Sequence, residues 1–248
     1  MKYCFSLIYI VLLACRDQPD IPPPAASIVS TDKTDSNKHI ANDTLQPALK
    51  DTPQLKDYFA DSLRIGKKGH NKIQVAQYST GDSNYVTISF FSKQQDQWQL
   101  KNEYQFEKNS EIDCQTQLSD FNNDSFNDMT YISNAAARGA NEVRRLLIYD
   151  NKKDQLIALK NGEQPNIGYN KKLKCIDAFA IHGGCITIFF RIKGDSLVEL
   201  ASIDLSPEGL TITEYDKHGN GKVIRNDTTI TLITEGFMRY SNYKPLQK

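Results

Sequence analysis

Apolar and β-branched residues in this chain recur at alternate positions in short runs cut by polar turns, and no segment holds a 3.6-residue period beyond two turns. Successive side chains of a strand point to opposite faces, so this alternation fits a half-buried strand and not a helix. The runs predict strands over residues 73–78, 85–92, 98–106, 129–133, 145–149, 156–159, 176–181, 185–192, 197–203, 210–215, 222–224 and 228–234, with a helical turn around 55–63. Turns fall where Gly, Asn and Asp cluster, at 81–84, 161–162, 194–195 and 218–221. The fold class is all-β.

A hairpin motif recurs within that pattern. Residues 90–98 (FFSKQQDQW), 148–156 (IYDNKKDQL) and 189–197 (FFRIKGDSL) each end a strand on aromatic or apolar residues, cross a polar turn holding Asp96, Asp154 or Asp195, and reopen on a large apolar residue. Spacings of 58 and 41 between those aspartates approach the period of about 40 residues of propeller blades, each of which buries its face only against its neighbours. The expected architecture is a small β-propeller-like domain of repeated hairpins; a β-sandwich or an open meander is the alternative.

The sharpest chemical signal is Asp120-Phe121-Asn122-Asn123-Asp124-Ser125-Phe126-Asn127-Asp128. Asp120, Asn122, Asp124 and Asp128 occupy positions 1, 3, 5 and 9 of the run, and Phe126 at position 7 offers its carbonyl. Alternate side chains of a tightly curled segment converge on one point, and calcium takes six to eight oxygens at roughly 2.3–2.6 Å. An EF-hand is excluded, because Tyr131 stands at position 12 where a bidentate Glu is needed and no helices flank the loop. The run resembles the calcium loops of FG-GAP-like and related β-propeller repeats, which read Asp-x-Asn-x-Asp-Gly-aromatic-x-Asp before a strand. Ser125 replaces the Gly, at a position that calls for a left-handed backbone, so affinity is expected to suffer. The alternative is a turn whose side chains cap their own backbone.

Downstream lie Tyr131-Ile132-Ser133-Asn134, a small-residue loop Ala135-Ala136-Ala137-Arg138-Gly139-Ala140-Asn141-Glu142, and Leu146-Leu147-Ile148-Tyr149-Asp150. With Gly183-Gly184-Cys185 and Asp195-Ser196-Leu197-Val198, these resemble the exported bacterial lipoproteins that include lysozyme-inhibitor-type immunity proteins. The resemblance implies a calcium-stabilised β domain that binds another molecule, in some members a peptidoglycan-cleaving enzyme. Asn134, Arg138 and Asn141 are the candidate contacts, since small residues admit a partner's backbone and arginine offers a planar five-donor fork. A plain connection with Arg138 in solvent is the alternative.

Residues 1–14 read as an export signal, with Lys2 before the apolar core FSLIYIVLL, which is shorter than the roughly 20 residues a spanning helix needs. Leu12-Leu13-Ala14-Cys15 resembles a lipobox, which makes Cys15 the acylated first residue of a protein anchored to a membrane of the bacterial cell envelope, its folded part outside the cytoplasm. Residues 15–56 hold six of the nine prolines among polar residues and read as a disordered tether. Residues 57–248 then form the calcium-braced domain. Of the remaining cysteines, Cys175 and Cys185 flank the His182-Gly183-Gly184 turn and are the candidates for a disulfide, the alternative being two buried free thiols alongside a third, Cys114.

Thirty basic and thirty acidic residues cancel, and neither sign gathers into a long block, so a nucleic-acid partner is not expected. His70, His182 and His218 fall in turns without a GxSxG-type elbow, so no enzyme is expected either. The partners implied are a membrane through the lipid anchor and an envelope protein or glycan.

Overall fold

In the computed structural model, which describes residues 52–81, 83–108 and 110–244, antiparallel strands build three open meander sheets. Strands β1 (Gln54–Asp61), β2 (Asn71–Thr80), β3 (Ser83–Gln94) and β4 (Gln97–Lys108) form the first. The second holds β5 (Gln117–Ser119), β6 (Asp128–Ala136), β7 (Asn141–Asp150) and β8 (Gln155–Pro165). The third holds β9 (Gly168–Asn170), β10 (Cys175–Ile181), β11 (Cys185–Lys193), β12 (Ser196–Ser206), β13 (Gly209–Tyr215) and β14 (Gly221–Asp227). Among the described residues these three open antiparallel sheets form no closed propeller, so what stands of the expected architecture is the all-β fold of open meanders. Cys15, the export segment and residues 15–51 of the tether lie outside the described residues.

The repeated motif marks equivalent hairpins, β3–β4, β7–β8 and β11–β12. Gln95 and Asp96 both take positive φ, 47° and 62°, as a type I′ turn requires. Asp154 (φ 52°) lies in the second turn, and Gly194 (φ 63°) opens the third.

The second sheet is the middle layer, and one strand shows why. Leu146, Leu147, Ile148 and Tyr149 are consecutive in β7 and all buried, the signature of a strand covered on both faces. Leu147 and Tyr149 join Met129, Tyr131 and Leu156 against Ile73, Val75, Ile88 and Phe90 of the first sheet. Leu146 and Ile148 turn the other way, against Ile176, Ala178 and Phe190 of the third. The far face of the third sheet, with Phe189, Ile203 and Leu210, is covered by Ile230, Leu232, Tyr240 and Tyr243 from the C-terminal segment.

Three local expectations are corrected. Residues 55–63 form most of edge strand β1, which starts inside the expected tether; Phe59 packs in the first core and pairs with Val75. Residues 228–234 do not form a strand, because Asp227 turns the chain by accepting from the amide and hydroxyl of Thr229, and Thr231 caps the short helix α1 (Leu232–Glu235) with a reciprocal Thr231–Thr234 capping box. The Cys175–Cys185 disulfide is absent and both thiols are free and buried. The β10–β11 register sets Ile181 opposite Cys185 and Ile176 opposite Phe190, so the two cysteines stand at opposite ends of the strand pair. That is roughly 20 Å at about 3.3 Å per residue, whereas a disulfide needs a Cα separation of about 5.5–6 Å.

Candidate functional site

Loop 120–128 leaves β5 and enters β6. Its side chains are folded back on the loop itself. Asp120 accepts from the amides of Asp124 (3.1 Å) and Ser125 (2.9 Å). Asn122 Oδ1 accepts from the amide of Asp124 at 3.0 Å, and Asp124 Oδ1 from that of Phe126 at 2.9 Å. Asn122 Nδ2 donates to Asp124 Oδ2 at 2.9 Å. Asn123 and Ser125 both have positive φ, 60° and 72°, so Ser125 takes the left-handed backbone that the missing Gly would accept without strain.

Asp128 does something different. Fully buried, it accepts from the amide of Phe121 through one oxygen and from that of Tyr149 through the other, each at 2.8 Å. It thereby ties both ends of the loop to β7. Burial pushes its carboxyl up to about 8; the two amides oppose that rise, and Asp124 and Asp120 add to it.

Among the described residues no three acidic, His or Cys side chains converge as a metal-binding group. The expected ligands therefore divide. Asp120, Asn122 and Asp124 share one partly exposed turn, while Asp128 lies beneath it with its oxygens turned to the backbone. An ionised carboxylate has about four acceptor sites, and Asp120 and Asp124 each use two, so this turn keeps capacity for a hard cation. Phe126 packs its ring edge-on to Tyr149, centroids 5.6 Å apart. Asn127 ties the loop to the first sheet, donating to the Arg64 carbonyl at 3.0 Å and accepting from the Gly66 amide at 3.1 Å.

Next to that contact lies a polar hub that the sequence reading did not identify. Asp154 accepts from Tyr149 Oη at 2.8 Å and Asn71 Nδ2 at 2.9 Å, and His70 Nε2 stands 3.2 Å from its second oxygen. Burial acts to raise this carboxyl, but hydrogen bonds from Ser92, Asn71, Tyr149 and His70 together hold it well below the usual carboxylate range. The hub joins the β1–β2 connection to the β7–β8 turn.

At the far end of β6 and β7 the chain projects a tip. The β6–β7 register slips between Ile132 and Asn134, a bulge that bends a hairpin away from its sheet, and Asn134 Oδ1 accepts from the amide of Ala135 at 2.8 Å. Residues 136–140 are exposed. Ala137, Arg138 and Gly139 take consecutive positive φ of 49°, 56° and 91°. The base is rigid. Asn141, 8 % exposed, donates to the Ile181 carbonyl and accepts from the Ile181 amide, both at 2.8 Å. Asn166 donates through its side chain to Ala140 O (3.1 Å) and Phe179 O (2.9 Å), and it exchanges two further bonds with the backbone of Glu142. Of the three expected contacts, Arg138 is at the apex, Asn134 at the bulge, and Asn141 is an anchor with both amide atoms spent inside the protein. Asn166 does comparable anchoring from 24 residues away in sequence from Glu142, and nothing local marks it.

No known protein family matches the chain, and no curated protein matches it. Among solved structures, the chain is similar to one described as "Structure of a Xanthomonas Type IV Secretion System related protein", at 9% identity and a TM-score of 0.42, covering 69% of this chain and 94% of that one. That is a distant likeness.

Proposed function

We propose that this chain is a lipid-anchored binding protein of the bacterial cell envelope that presents the 134–140 tip to a macromolecule and acts by occlusion, without turnover. The observation that carries this reading is the tip. Two consecutive non-Gly residues in left-handed backbone cost on the order of 1 kcal/mol each, and they are held at an exposed apex above the side-chain amide clamps of Asn141 and Asn166. A fold that only needed to connect β6 to β7 would relax that strain with glycine. A rigid apex loses little entropy on docking, and Arg138 presents a bidentate donor to a carboxylate or a row of carbonyls.

The partner class that the sequence resemblance implies is a lysozyme-like peptidoglycan hydrolase. Loop 120–128 serves as a structural brace, with calcium held by Asp120, Asn122, Asp124 and the Phe126 carbonyl, and with Asp128 supporting it from below. A cation there would neutralise carboxylates confined to one turn and fix the entry to β6, the strand that leads to the tip.

The test is stoichiometric inhibition of a panel of muramidases by the purified chain. The expected result is a one-to-one complex with at least one of them, weakened at least about tenfold by Arg138→Ala, a loss of about 1.4 kcal/mol or more. No inhibition across the panel would remove the hydrolase partner, and undiminished binding by Arg138→Ala would remove the tip as the contact.

A further inference from the structure

At one end of the first sheet the inner face changes character. Ile73 and Val75 of β2, Val86 and Ile88 of β3 and Phe106 of β4 face the core, and strand alternation puts Gln77, Ser79, Asn84 and Lys108 next along the same face. The register sets them side by side, with Gln77 opposite Val86 and Asp57, Ser79 opposite Asn84, and Asn84 opposite Lys108. The strands thus turn from apolar to polar together, and the polar end is not left to solvent. Gln77 is 1 % exposed and Lys108 2 %. The β4–β5 connection closes over them, held by Lys108 Nζ donating to the Ser110 and Ile112 carbonyls and by the Cys114 amide donating to Asp57 at 2.8 Å.

Between that connection and the sheet lies a cleft of about 240 Å³, lined by Lys56, Gln77, Ser79, Asn84, Glu111 and Asp113. Its polar groups are largely uncommitted. Gln77 Oε1 accepts from the Cys114 thiol at 3.4 Å, whereas Gln77 Nε2 has no hydrogen-bond partner among the described residues. A buried donor without an acceptor is costly, so this amide points to an occupant. Glu111 and Asp113 make no side-chain hydrogen bond or ion pair among the described residues, and neither does the Asn84 side chain. Lys56 Nζ donates only to Gln54 Oε1, at 3.2 Å. Donors therefore sit on the sheet, and two free carboxylates sit on the segment that covers it.

We propose that this cleft binds a small zwitterion, a free α-amino acid, its ammonium held by Glu111 and Asp113 and its carboxylate by Lys56 and the Gln77 amide. Opposite poles on opposite walls select a ligand that carries both charges, since a charge-assisted hydrogen bond is about twice as strong as a neutral one. The volume lies below the range of about 300–1,000 Å³ common for clefts that take drug-sized ligands, which suits one amino acid and not an oligomer. The site is independent of the tip and of loop 120–128, and each can fail alone.

The full chain is titrated with glycine, alanine, serine and glutamate while backbone amide resonances are followed, with acetate and ethylamine as controls that carry one pole each. At least one amino acid is expected to shift Ser79, Asn84, Glu111 and Asp113 without moving Asn122 or Arg138, and either control to bind about tenfold or more weakly. An E111Q/D113N double variant is expected to bind the same amino acid about tenfold or more weakly at an unchanged melting temperature, since both side chains are exposed. No shift at these amides with any of the four, acetate or ethylamine binding as tightly as the amino acid, or equal affinity in the double variant would each overturn the proposal.

Discussion

Asp128 and Asp124 stand four residues apart in one loop and are expected to respond to the same substitution to very different degrees. Asp128 satisfies two amides, and an unpaired buried group costs about 1–3 kcal/mol, so Asp128→Ala should lower the unfolding free energy by about 2–4 kcal/mol in urea titrations. Asp124 accepts within an exposed turn, so Asp124→Ala should change the metal-free stability by less than about 0.5 kcal/mol. Equal losses would mean that the two share one role. Asp154 gives the pH signature. Its carboxyl is held below its ordinary value, so its contribution is present above the unfolded-state pKa of about 3.9 and is lost as pH falls through the folded value. The stability gap between the wild type and Asp154→Asn should therefore shrink as pH is lowered from about 5 toward 2; a gap that widens on acidification would contradict the assignment. The thiols carry a simpler expectation. Burial pushes Cys114 up to about 12 and Cys175 up to about 11, so both should resist alkylation in the folded state.

At the level of elements, the tip predicts that stability and binding part company. Arg138→Gly removes the left-handed strain and should raise stability by up to about 1 kcal/mol while weakening the complex, whereas Asn166→Ala should lose both, because it frees the base. What was legible in the sequence follows the same division between local and distant causes. The three Asp-bearing hairpin turns rest on neighbours in sequence, and their pattern survives into the structure, whereas the strand read at 145–149 turns out to be buried on both faces because a sheet covers each side. β1 rests on pairing with β2 across a 9-residue connection, and its sequence, QLKDYFAD, shows little alternation of its own because an edge strand is half exposed. The Cys175–Cys185 pairing failed because the flanking turn is only three residues long, which fixes the register and carries Cys175 to the opposite end of β10.

For the whole molecule, the second sheet is the keystone. It is covered on one side by the first sheet and on the other by the third, and it carries the loop at one end and the tip at the other. Asp128 and Asn127 connect the loop to β7 and to the first sheet, so bracing the loop should stiffen the middle layer and be felt in global unfolding. A ligand that binds only the folded state adds about 2.7 kcal/mol at a hundredfold excess over its Kd. The most direct test is thermal unfolding of the wild type and Asp124→Ala with calcium and with chelator. A higher melting temperature is expected for the wild type in calcium, lost on chelation and absent at every calcium concentration in Asp124→Ala. Identical wild-type curves in calcium and in chelator would contradict it.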